Sequence, residues 1–327
     1  MKVVLVNTPS LFVYGKIKSG HNCSFPLGLG YIASYIRRAG HEVRLFDPEA
    51  HNISYERMWE EVKTFKPDMV GISAVTSNFM EATQLVLEAK EKIGSLVIMG
   101  GPHVTALPQT SLLITPGLDA IIIGEGEIPV LSIADYFDKY GRVDFNEIPG
   151  VAFFEGNEFK KNRRPPFIEN IDVIPYPARD LVDINVYKLH PHFQHKSKSA
   201  TILSSRGCPS KCTFCGNIVQ ARRFRPHSPE YFVGELEFLV KQYNIRHFHI
   251  VDDCFSYDLS RVEKICDLIL SKQLDITWFA FGRVDTLQDE RIIKKMKKAG
   301  CIYILLGIET GNQEINNLMK KGTTLEM

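Results

Sequence analysis

The chain has 327 residues, enough for two cores of ordinary domain size. Lys and Arg number 39 against 38 for Asp and Glu, and a formal charge of +1 argues against a broad electrostatic nucleic-acid binder. With 44% hydrophobic and 24% charged residues, disorder and collagen-like repetition are excluded, and apolar stretches such as Ile302 to Ile308 are far too short to cross a bilayer.

Met1-Lys2-Val3-Val4-Leu5-Val6 holds too few apolar residues for a signal-peptide core, so it reads as the first strand of a cytoplasmic protein. Strands are predicted at Lys2 to Val6, Glu42 to Phe46, Asp68 to Ile72, Leu96 to Met99 and Ala120 to Ile123. Helices are predicted between them, at Leu27 to Ala39, Tyr55 to Phe65, Phe79 to Ile93 and Ile128 to Tyr140. Gly40 and Pro67 supply helix stops. Strict alternation predicts an α/β fold, a doubly wound parallel sheet whose ligands sit beyond the carboxyl ends of the strands. The pattern then breaks. Gly156-Asn157 centres a predicted hairpin between Val151 to Phe154 and Glu158 to Lys160. The stretch from Lys161 to Lys198, rich in Pro, Arg, Asp and His, reads as an ordered linker. Alternation resumes with strands at Thr201 to Ser204, His247 to Val251, Thr277 to Phe281 and Ile302 to Gly307. The helices there are Pro229 to Tyr243, Ser260 to Ser271, Asp289 to Ala299 and Gln313 to Met319. The expected division is a Rossmann-like domain over 1–145, a hairpin and linker over 146–198, and a second α/β unit over 199–327.

Seven cysteines are unevenly spread. Cys208, Cys212 and Cys215 cluster, whereas Cys23, Cys254, Cys266 and Cys301 are scattered. An odd total in a chain without a signal peptide points away from disulfides and toward metal chemistry. A loop with this spacing can wrap three thiolates around one corner of an iron–sulfur cluster. Simple electron-transfer clusters take four cysteines, so here one iron stays open. A zinc knuckle is the alternative, its fourth ligand to come from His227, Cys254 or a linker histidine. The basic run Arg222-Arg223-Phe224-Arg225 is the best support for that rival, a non-catalytic zinc and nucleic-acid module.

Ser205-Arg206-Gly207-Cys208-Pro209-Ser210-Lys211-Cys212-Thr213-Phe214-Cys215 follows a predicted strand, and its C-x3-C-x2-C spacing with an aromatic before the last cysteine resembles the signature of the radical S-adenosylmethionine (SAM) superfamily. The resemblance implies a [4Fe-4S] cluster on Cys208, Cys212 and Cys215, with SAM on the open iron. It further implies cofactor contacts from Phe214, from Asp252 and Asp253 where relatives carry Gly-Gly-Glu, from Arg283, and from Glu309. Helix capping before Ser260 is the plain reading of Asp252 and Asp253, and a surface ion pair that of Arg283. Relatives carry six βα units; four strands from Ala200 onward lead to the expectation of a partial barrel.

The N-terminal half, through Phe25-Pro26-Leu27-Gly28-Leu29-Gly30, Gly71-Ile72-Ser73, Met99-Gly100-Gly101-Pro102-His103 and Gly124-Glu125-Gly126-Glu127, resembles a cobalamin-binding domain. That likeness implies Ser73 at the nucleotide tail, Gly100 and Gly101 where backbone nears the cofactor, His103 at the corrin edge, and Gly124, Glu125 and Gly126 at a helix start. Asn7-Thr8-Pro9-Ser10-Leu11 has no histidine where related proteins place a cobalt ligand, and His21 lies downstream. Cobalamin is therefore expected without a histidine on cobalt. Together the resemblances imply a cobalamin-dependent enzyme that cleaves SAM reductively to a 5′-deoxyadenosyl radical and methylates an unactivated centre of a small molecule. A flavodoxin or ferredoxin would supply electrons. A cyclase or rearrangement enzyme on the same scaffold is the alternative.

Overall fold

A computed structural model describes residues 1–10, 23–189, 198–217 and 219–327; His21 and the histidines of 190–197 lie outside them. The described residues form two compact units, and the stretch after residue 167 is divided between them: Ile168–Val173 belongs to the second and Ile174–Val186 to the first.

The first unit runs β1 (Lys2–Val6), α1 (Leu27–Arg38), β2 (Glu42–Phe46), α2 (Pro48–His51), α3 (Tyr55–Phe65), β3 (Met69–Ser73), α4 (Phe79–Lys92), β4 (Leu96–Gly100), α5 (Pro102–Ala106), α6 (Pro108–Leu113), β5 (Ala120–Ile122), α7 (Glu127–Tyr140), β6 (Val151–Glu155) and β7 (Glu158–Lys161). Its sheet has the order β2-β1-β3-β4-β5-β6-β7. β1 to β5 pair in parallel, while β6 and β7 add an antiparallel hairpin at the β5 edge. The hairpin expected in the linker is thus part of the first sheet. Val4, Val6, Val70, Ile72, Val97 and Met99 fill one buried face against Met58, Trp59, Leu85 and Val86 of α3 and α4. Strands covered on both faces need such unbroken apolar runs. Ser54 caps α3 by accepting the Arg57 amide, and Lys66 ends it in the left-handed region. Because β1 is flanked by β2 and β3, the chain reverses its winding at the carboxyl ends of β1 and β3, where open α/β sheets bind ligands.

The second unit continues with β8 (Ser199–Ile202), β9 (Ser205–Arg206), β10 (Arg225–Pro226), α8 (Pro229–Tyr243), β11 (His247–Ile250), α9 (Leu259–Ser271), β12 (Thr277–Gly282), α10 (Glu290–Lys298), β13 (Cys301–Leu306) and α11 (Gln313–Leu318). β8, β11, β12 and β13 form a four-stranded parallel sheet in that order, and β9 and β10 make a small antiparallel ribbon. Phe232, Phe248, Val262, Ile265 and Trp278 are among its buried residues. Trp278 donates its indole N–H to the Ala299 carbonyl at 2.8 Å, which satisfies the polar tip of an otherwise apolar ring. Among the described residues no helix is long and apolar enough to cross a membrane.

Candidate functional site

In the second unit the three cysteines follow β8 and β9, at the carboxyl end of the parallel sheet. Cys212 is buried, Cys208 partly so and Cys215 exposed, and all three are free thiols. Among the described residues no three His, Cys, Asp or Glu side chains are gathered closely enough to grip an ion. The donor chemistry nonetheless suits a group that takes three thiolates. Hydrogen bonding from Cys254 holds the Cys208 thiol well below its ordinary range and pushes the Cys254 thiol up. The Arg283 guanidinium lies 3.6 Å from Cys212 Sγ. His227, a candidate fourth zinc ligand, is instead bound to Asp172 at 2.9 Å and stacked on Tyr231.

The acidic pair, just beyond β11, divides by burial. Asp252 is wholly buried, and its carboxylate accepts the Ser204 amide at 2.6 Å and the Ser205 hydroxyl at 2.6 Å, along with the Ser204 hydroxyl. Those bonds tie Asp252 to the entry of the cysteine loop and occupy both of its carboxylate oxygens. Asp253, beside it in the bend after β11, is more exposed. It accepts the Gly207 amide, and burial of part of its side chain with the Cys208 charge pushes its carboxyl up. Neither caps the next helix; Asp258 does, through the Arg261 amide at 3.1 Å.

Arg283 holds Asp285 in a two-point pair, Nε and Nη2 each 2.9 Å from a carboxylate oxygen, and also donates to the Lys321 carbonyl. It is an ion pair, but not the surface pair of the plain reading: Arg283 is buried against Cys212, with Asp285 half-buried. Glu309 adopts a left-handed backbone, with φ 66°, and its Oε1 meets Lys321 Nζ at 3.0 Å. Lys321 is nearly buried and lies over the ring of half-exposed Phe214, 5.7 Å from its centroid. Sequence reasoning missed Lys321, which has no local spacing signal, and offered Cys254 only as a zinc ligand, whereas it lies against Cys208.

In the first unit, Thr8 and Ser73 meet at the reversal between β1 and β3. Thr8 Oγ1 donates to the Ser73 carbonyl at 2.5 Å, and Ser73 Oγ donates to Asn7 Oδ1 at 3.2 Å while accepting the Thr8 amide at 3.4 Å. The Ser73 hydroxyl keeps one lone pair for a ligand. Gly101, at φ 118°, passes so close to β3 that a Cβ there would lie 2.3 Å from the Ala74 carbonyl oxygen; at Gly100 the nearest atom would be 3.7 Å away. His103 stacks on Phe79, with centroids 4.1 Å apart, and bonds Thr76 Oγ1 at 3.2 Å; burial lowers its pKa. Two of the glycines at the start of α7 are already engaged within the fold. The Gly124 amide donates to Thr105 Oγ1 at 3.1 Å and is not free for a ligand. Gly126 is small because α7 packs there on α1, where a Cβ would lie 2.5 Å from Ile32. Glu125 is half-buried at that helix start. His41 is structural, paired with Asp135 at 3.1 Å.

The basic run is not an open patch. Arg225 donates to the Ile168 carbonyl at 2.9 Å and to Gln220 at 2.7 Å, and Arg223 pairs with Glu169 at 2.8 Å. Side chains so engaged do not form the exposed stripe that phosphates require.

A Rossmann-like sheet followed by a parallel βα sheet bearing three thiols at its carboxyl edge defines a two-cofactor class, with one group per sheet. The B12 binding domain family matches residues 17–134, and the radical SAM superfamily matches residues 202–327. An uncharacterized methyltransferase of Pyrococcus horikoshii is 34% identical over 326 residues, 99% of this chain and 69% of that protein. An anaerobic magnesium-protoporphyrin IX monomethyl ester cyclase of Rubrivivax gelatinosus is 31% identical over 92% of this chain and 54% of the cyclase. The solved structure of OxsB, a cobalamin-dependent SAM radical enzyme, superposes with a TM-score of 0.83 at 22% identity, covering 99% of this chain and 46% of OxsB. The chain belongs to the radical SAM superfamily, in the family whose members carry a B12-binding domain ahead of the radical SAM domain. It spans 69%, 54% and 46% of the length of these three relatives.

Two imidazoles of the second unit, His227 buried and His249 half-buried, give a pH prediction. Burial pushes His227 down to about 4, against the opposing pull of Asp172, and pushes His249 down to about 4 with help from the charge of His247. Between about pH 6.5 and 4 the unfolded chain therefore binds more protons than the folded one, so stability rises with pH across that window and is level in this respect above it. His227 accounts for about 3 kcal/mol of that slope. Asp252 and Asp253, raised by burial, act with the opposite sign in the acid range. The decisive quantity is thus the difference between the wild type and His227→Gln in urea midpoint from pH 4.5 to 7.5. A pH-independent difference would show that His227 is not held neutral.

Proposed function

We propose that the protein cleaves SAM reductively and uses cobalamin to methylate an unactivated centre of a small molecule. What supports this most is the meeting, at one parallel-sheet edge, of the three-cysteine loop with Asp253, Arg283 and Glu309. When bound, the iron–sulfur cluster supplies the electron for SAM cleavage and cobalamin the methyl carrier. The chain's own part is to hold and orient. Cys208, Cys212 and Cys215 would ligate the cluster. Asp253 is the acceptor we assign to the methionyl ammonium, since Asp252 is consumed by Ser204 and Ser205. Glu309 is assigned to the ribose hydroxyls, held by Lys321. Arg283 steadies Cys212 and the Lys321 carbonyl, in place of a SAM carboxylate. In the first unit the Ser73 lone pair and the Gly100–Gly101 backbone would meet the cobalamin tail. A low-potential flavodoxin or ferredoxin is the electron donor this chemistry requires.

The cyclase relative favours a second reading, ring formation on the same scaffold. The anaerobic, reconstituted 327-residue chain with SAM and dithionite should yield 5′-deoxyadenosine, with iron, sulfide and cobalt in the protein. Zinc in place of iron, and no 5′-deoxyadenosine, would refute the proposal.

A further inference from the structure

All three cysteine carbonyls are bound by side chains from the segment that follows them. Asn217 Nδ2 donates to the Cys208 carbonyl at 2.8 Å. Arg222 Nη2 donates to the Cys212 carbonyl at 3.3 Å and the Cys215 carbonyl at 3.1 Å, while its Nη1 donates to the Ser210 carbonyl. Getting the guanidinium there is costly. Ala221 and Arg222 stand at φ 49° and 56°, left-handed conformations that non-glycine residues adopt in succession only when the surroundings compel them. The peptide joining Cys212 to Thr213 is held at both ends, its carbonyl by Arg222 and its amide by the Met319 carbonyl at 2.9 Å.

We propose that Arg222, with Asn217, is the positioning clamp of the three-cysteine loop: it fixes the loop before any cluster arrives, and its charge raises the potential of the cluster once bound. The first half stands on the geometry alone; the second rests on the iron–sulfur reading above. A planar fork can span three carbonyls, whereas a lysine ammonium offers a compact point charge and cannot reproduce that span. A fixed positive charge beside a cluster favours its reduced, more negative form.

The two halves separate experimentally in the full chain. In the cluster-free protein, Arg222→Gln and Arg222→Lys should both speed amide exchange of the loop containing Thr213 and Cys215 about tenfold, the scale expected when charge-assisted bonds are lost. In the reconstituted protein both variants should lose iron to a chelator about tenfold faster. The midpoint potential should move to more negative values in Arg222→Gln and stay near wild type in Arg222→Lys. Unchanged exchange in both variants overturns the clamp. Equal potentials in wild type and Arg222→Gln overturn the tuning role. A wild-type chain that takes up no iron–sulfur cluster overturns the tuning role together with the cofactor reading, while the exchange measurement still decides the clamp.

Discussion

Replacing any one of Cys208, Cys212 and Cys215 with Ala is expected to abolish both the iron–sulfur cluster and reductive SAM cleavage. Three thiolates hold three irons and leave one open, so the loss of any one opens a second iron and leaves the cluster with two ligands. The three sites are not equivalent before loading. Cys208 is thiolate-like beside Cys254, Cys212 is buried against Arg283, and Cys215 is exposed. Cys215→Ala therefore tests ligation with the least disturbance of packing, and it should fold like the wild type while retaining no stable cluster. Cys254→Ala is the matched control. It removes a buried thiol that touches Cys208 but stands outside the C-x3-C-x2-C set, and it should load iron and sulfide. Iron and sulfide assays on anaerobic protein, with 5′-deoxyadenosine as the activity readout, check both. Full iron content in the Cys208, Cys212 and Cys215 triple Ala variant would falsify the ligand assignment.

The parallel sheets were legible because each strand is an apolar run closed by a Gly, Pro or polar stop, and this signal is local. β1, β2, α3 and α8 fall on the residues expected from the sequence, and most other ends differ by one or two. The helices α5 and α6 were not legible. At five and six residues, each opening on a proline, they show no helical period. The cysteine triad could be read because its chemistry lies in spacing within one loop. The acidic pair could not be resolved, since both residues lie in the irregular turn after β11 and only tertiary bonds to Ser204 and Ser205 bury Asp252 and leave Asp253 more open. Arg222 reads in sequence as part of a basic run suited to nucleic acid; only a left-handed turn folds it back onto the cysteine carbonyls. Lys321 reaches Glu309 and Phe214 by tertiary packing, which no pattern around Lys320-Lys321-Gly322 announces.

Gly101→Ala should be the most damaging glycine-to-alanine substitution among the described glycines of the first unit. The sequence reading weighted Gly100 and Gly101 alike, but their surroundings differ. Gly101 combines φ 118° with a would-be Cβ 2.3 Å from the Ala74 oxygen and 3.1 Å from its carbon and nitrogen. That backbone cannot yield cheaply, because the Ala74 amide is bonded to the Gly100 carbonyl at 2.8 Å and Ser73 pairs with Gly100 in the ladder. Strain and collision act together, and a loss of at least about 3 kcal/mol is expected. Gly100→Ala meets only Ile122 at ordinary contact distance and should change stability by less than about 1 kcal/mol. The two variants also part in cobalamin uptake, followed by the visible spectrum of the full chain. Gly101→Ala should lose uptake because β3 and β4 are forced apart at the strand ends that would receive the tail. Gly100→Ala should keep it, whereas Gly100→Phe should fold and exclude the cofactor by filling the space above the strand end. A Gly101→Ala chain with wild-type urea midpoint and wild-type cobalamin uptake would show that this close approach of β3 and β4 is not what shapes the site.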